Sequence, residues 1–173
     1  MRNLRHRVNY SGFIMKEDYI ERIFSAYQGE VEGEAFFNAM SELLDDRERS
    51  YKMRVLAQLE LETKERLIPH VEKLGGTPNE DPRVQERGIQ DAVVYSKMSW
   101  ENLMTSFKDE LLDYITQFKE LEGMGREEDM DVLEQLTKHE DALLSFVERE
   151  LAGQSNQSLE PVVELLEKVP SRV

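Results

Sequence analysis

Apolar side chains recur at intervals of three and four residues along most of the chain, the signature of amphipathic helices. Ile20, Ile23, Phe24, Tyr27, Val31, Phe37, Met40 and Leu44 form the first stripe and predict a helix over about 16–44. Met53, Leu56, Leu59, Leu67, Val71 and Leu74 predict a second over about 47–74, which Pro69 is expected to bend or loosen near its end. A third stripe runs from Ile89 through Trp100, Phe107 and Tyr114 to Leu121 and predicts one helix over about 83–121. At ~1.5 Å per residue that helix would reach about 58 Å, against about 42 Å for the second, so it must overhang its neighbour or break. Met130, Leu133, Leu136, Leu143, Phe146, Val147 and Leu151 predict a fourth over about 127–152, and a short helix over about 159–168 follows.

Helix-breaking residues separate these stripes: Asp45-Asp46, Gly75-Gly76 with the loop to Pro82, Gly123-Met124-Gly125, and Gly153. Short connections force neighbouring helices to run antiparallel. The predicted fold is therefore all-α, an antiparallel up-and-down four-helix bundle with a short C-terminal helix. Residues 1–15 read as a flexible N-terminal extension, 16–152 as the bundle, and 153–173 as a linker, the short helix and a tail. Gly29 and Gly33 lie inside the first helix, where they cost propensity but let a neighbouring helix approach closely.

Composition narrows the chemistry. The 173 residues contain no Cys, which excludes a disulfide scaffold, a zinc–thiolate site, an iron–sulfur cluster and a cysteine nucleophile. There are 22 Lys and Arg against 36 Asp and Glu, a net charge of −14, which argues against a nucleic-acid partner. Apolar runs are far shorter than the ~20 residues of a membrane span. The basic start Met1–Arg7 is not followed by an apolar stretch of signal-peptide length, so a cytoplasmic location is expected. Phosphate-loop, dinucleotide and nucleophile-elbow signatures are missing, and no nucleotide or haem motif is present.

The informative positions are charged residues inside apolar stripes, because a lone buried carboxylate must be protonated, paired or metal-bound. Glu30 and Glu34 interrupt the first stripe. Glu60, Thr63 and His70 interrupt the second, Glu101 and Glu110 border the third, and His139, Glu140 and Glu148 fall in the fourth. Antiparallel register about the first two turns places Glu34, Glu60 and Glu101 in one layer. About the third turn it places Glu148 level with Glu101, and His139 level with residue 110. Carboxylates from several helices in one layer are how a carboxylate-rich metal site is built.

Four helices with a mid-helix Glu in the first, the string Gly29-Glu-Val-Glu-Gly-Glu-Ala-Phe-Phe37, and His139-Glu140-Asp-Ala-Leu-Leu-Ser-Phe146 in the last resemble the ferritin-like superfamily over about residues 16–152. The chain departs from that family's Glu-x-x-His signature in both expected helices: Thr63 follows Glu60 by three, and Leu136 precedes His139 by three. The resemblance implies iron or manganese held by Glu34, Glu60, Glu101 and His139, with Glu30 and Glu148 as alternates, and an oxidoreductase-type activity. The other readings are a metal-free bundle acting as a binding or assembly module, with a small apolar ligand or a protein partner, and a heme-oxygenase-like helical fold. Spare apolar faces, as on the third helix, point to a homodimer.

Overall fold

The computed structural model describes residues 10–168, with side chains from residue 16 onward; residues 1–9, most of the expected extension, lie outside them. Six α-helices and two 3-10 turns account for the regular structure, and there is no strand among the described residues. The helices are α1 (Tyr10–Leu43), α2 (Arg47–Lys73), α3 (Pro82–Tyr95), α4 (Trp100–Met124), α5 (Met130–Leu151) and α6 (Glu160–Glu167). The all-α reading therefore holds. Residues 10–15 form the first turns of α1.

Local chemistry sets the boundaries. Asp46 caps α2 by accepting a hydrogen bond from the Arg49 amide at 2.9 Å. Gly75, at φ 86°, ends α2 in the left-handed conformation that glycine adopts without cost. The Gly75 and Gly76 amides close onto the carbonyls of Glu72 and Val71, the paired bonds of a Schellman motif. Pro69 does not interrupt α2, which runs on to Lys73.

One prediction is corrected. The stripe over 83–121 is two helices, not one, because Ser96–Ser99 form a turn. The Ser99 hydroxyl accepts from the Asn102 amide at 3.2 Å and starts α4 afresh. The two halves then go to different neighbours. Helix α3 packs on α1, and α4 packs on α5. Gly88 permits the first contact: a Cβ there would come within 3.2 Å of the Phe36 amide nitrogen and closer still to the Glu32 carbonyl.

The core is divided. One apolar cluster contains Met40, Met53, Leu56, Leu103, Leu143 and Phe146. A second contains Ile23, Val31, Leu67, Leu121, Leu133 and Leu136. On α2 the buried residues between the two clusters are Glu60, Thr63 and Lys64, and on α5 they are Thr137, His139 and Glu140. Buried polar clusters also tie each end of the helices. At one, Glu150 accepts from Lys52 at 2.6 Å and from the Trp100 indole at 2.8 Å. At the other, Asp129 accepts from Lys73 at 2.7 Å, and Tyr19 Oη lies 2.9 Å from His70 Nε2. None of the helices among the described residues is long and apolar enough to cross a membrane.

Candidate metal centre

The polar layer is centred on His139, which is 1 % exposed. Its position on α5 aims the ring between α1 and α2, and both ring nitrogens are engaged. Nε2 lies 3.1 Å from Glu60 Oε1. Nδ1 lies 2.8 Å from Thr63 Oγ1 and 3.2 Å from Glu30 Oε2. Nδ1 and the Thr63 hydroxyl are hydrogen-bonded. Glu30 Oε2 is a fully buried oxygen with no hydrogen-bond partner. Glu30, Glu60 and His139 each offer a ligand atom, and these atoms all lie within 4.8 Å of one another.

Electrostatics follow from this geometry. Burial alone would strip the His139 proton, but the charges of Glu30 and Glu60 hold it and push the pKa up to about 10. Burial raises the Glu30 carboxyl well above the usual range, against the pull of His139, and the nearby Glu60 and Glu140 add to the rise. Glu140, also desolvated, is pushed up to about 7. With Lys64 taken up by Glu34 and Glu80, three buried carboxyls face one imidazolium, an excess of acid that a cation would relieve.

A cavity of about 470 Å³ opens onto this layer, lined from α1, α3, α4 and α5 with Leu56 and Glu60 of α2. Glu30, Glu60 and Glu140 lie on its wall together with Phe36, Phe107 and Tyr114. Tyr95 of α3 reaches across to α4, where its ring stacks on Phe107 at 6.1 Å and its hydroxyl donates to Glu110 at 2.7 Å.

Of the six candidate ligands, the structure brings together Glu30, Glu60 and His139 and places the other three elsewhere. Glu34 accepts from the buried ammonium of Lys64, which also binds Glu80. Glu101 is exposed in the first turn of α4. Glu148 is exposed and pairs with Lys108 at 2.8 Å. The antiparallel register of α1 and α2 is as expected, since Gly33 lies against Glu60; the face differs, and Glu30, one turn before Glu34, is the carboxylate that turns to the site. The split of the third stripe removed Glu101 from the layer. The α4–α5 register was off by about two turns: Glu148 meets Lys108 and not Glu101, and Thr137 meets Glu122. Thr63 and Glu140 were visible as polar interruptions of apolar stripes but had not been assigned to the site. Comparison with protein-family models, with curated proteins and with solved structures finds no match to this chain in any of the three.

Proposed function

We propose that this protein is a metal-binding helical bundle in which Glu30, Glu60 and His139 hold one divalent iron or manganese ion. The observation that carries the reading is the fully buried Glu30 Oε2, which has no hydrogen-bond partner, in a three-ligand cluster confined within 4.8 Å. Two carboxylates and an imidazole suit iron or manganese. Thr63 beside Nδ1 orients the ring, as partners behind a metal-bound histidine do. His139 must give up a proton to bind, so uptake releases acid. A bound iron or manganese would supply redox chemistry on oxygen or peroxide, with the cavity as the way in for a substrate. The arrangement of α1, α2, α4 and α5 as an up-and-down, ferritin-like bundle with α3 laid on α1 belongs to the same proposal. So do a cytoplasmic location and a homodimer through the exposed Ile89, Val93 and Val94 of α3.

One observation favours the metal-free binding module: His139 already contacts both carboxylates and offsets part of their charge. Elemental analysis decides between the two. Protein purified without chelator, or loaded anaerobically with Fe²⁺ or aerobically with Mn²⁺, is expected to retain about one ion per chain. Glu60→Gln and Glu30→Gln are each expected to weaken retention by at least about tenfold. Failure to retain either metal in both preparations overturns the metal reading in favour of the module.

A further inference from the structure

The cavity holds one acidic group that the proposed ion does not require. Glu140 is 7 % exposed and lines the cavity. It lies outside the three-ligand cluster. No hydrogen bond or ion pair to its carboxyl is found among the described residues, whereas Glu34, Glu148 and Glu150 each meet a lysine. The His139 imidazolium offsets part of its charge, but no hydrogen-bond donor among the described residues reaches its carboxyl, and a cation arriving from the cavity would supply one. The cavity offers no such cation itself: among the described lining residues the only basic one is Arg22, which faces Asp18 and Glu120 at 3.4 and 3.3 Å.

The rest of the wall narrows the ligand further. Phe36, Tyr95, Phe107, Tyr114 and Phe118 present aromatic rings along it. Aromatic faces attract organic cations, and a volume of about 470 Å³ accommodates a small aromatic or alkyl body. A bare metal ion would use neither the rings nor the volume, and an anion would meet the acidic wall.

We infer that the cavity binds an organic ammonium, its charged nitrogen against Glu140 and its apolar body against the aromatic wall. This names a substrate class for the site proposed above, and it rests on that reading only in taking the cavity as the way in. Binding of 2-phenylethylamine, 2-phenylethanol and 3-phenylpropionate to the full chain tests it by calorimetry at pH 7, with and without Mn²⁺. The amine is expected to bind at least about tenfold more tightly than the alcohol, with the carboxylate weakest. Glu140→Gln, isosteric and checked by circular dichroism, is expected to bring amine and alcohol within about threefold. Tyr114→Ala, at a half-exposed position that folding tolerates, is expected to weaken the amine about fivefold and the alcohol less. Equal binding of amine and alcohol by the wild type, or an amine preference that survives Glu140→Gln, overturns the inference. Manganese content of the same samples separates the two ideas. Metal uptake without an amine preference overturns this inference alone, and an amine preference without metal uptake overturns the metal reading alone.

Discussion

Glu30 shows what a single buried oxygen costs and what it offers. Its carboxyl sits among His139, Glu60 and Glu140, and one of its oxygens has no hydrogen-bond partner. Replacing it with glutamine removes a group that resists ionisation in the folded state and ionises freely in the unfolded one. The metal-free Glu30→Gln protein trades that penalty against the lost contact with His139, and is expected to be at least as stable as wild type at pH 7 while metal affinity falls. Urea denaturation in EDTA checks this, and a lower midpoint for the variant would contradict it. The same residue shows how far sequence reaches. Glu30 and Glu34 give one signal, a carboxylate inside an apolar stripe. What distinguishes them is the partner brought by α2, which is Lys64 for Glu34 and the acid-rich layer for Glu30. That pairing depends on which face α1 turns to α2, and a stripe that holds carboxylates one turn apart leaves that choice open.

At the scale of helices, two glycines set how closely α1 is approached. At Gly33 a Cβ would come within 2.7 Å of the Glu60 carboxyl carbon, and nearer to its oxygen. The obstacle is the end of a flexible side chain, so Gly33→Ala should leave stability unchanged or raise it by up to about 1 kcal/mol through helix propensity. It should displace Glu60 and weaken manganese retention by at least about tenfold. Calorimetric melting and metal analysis on one sample test both halves, and unaltered retention would argue against Glu60 as a ligand. Gly88 differs because its neighbours are backbone atoms of α1, which cannot swing aside. Gly88→Ala is expected to destabilise by about 1–3 kcal/mol and to loosen α3, read as a lower melting temperature. Helical periodicity made α2, α5 and α6 legible almost to their ends, and α1 from about residue 16 onward. It could not show the break at 96–99, because Ser96-Lys97-Met98-Ser99 contains neither Gly nor Pro and the apolar spacing continues across it. The capping hydroxyl of Ser99 was the available sign, and a lone serine in a helical pattern is a weak one.

Across the whole molecule, buried ion pairs hold the ends together, while in the middle Lys64 is taken up by Glu34 and Glu80 and the carboxyls around His139 outnumber it. Asp129 illustrates an end. Burial works against its charge, but the Lys73 hydrogen bond and the nearby His70, Lys73 and Arg126 outweigh it and hold the carboxyl below its usual value. A depressed carboxylate stabilises the fold above the unfolded-state pKa of about 3.9, and that contribution is lost as pH falls through the lower folded value. Asp129→Asn is therefore expected to lose about 1–3 kcal/mol at pH 7, and the gap to wild type should narrow below about pH 4. Denaturation midpoints at pH 7 and pH 3 measure it, and a gap that stays constant would exclude an electrostatic origin. The division of the core has a consequence for how the molecule opens. Two oily halves meet across a seam of acid, and the seam gives each half a reason to breathe without the other. Amide hydrogen exchange in chelator should report two protection levels, one for each half. An ion bridging α1, α2 and α5 would fasten the seam and raise protection on both sides together, merging two units of opening into one.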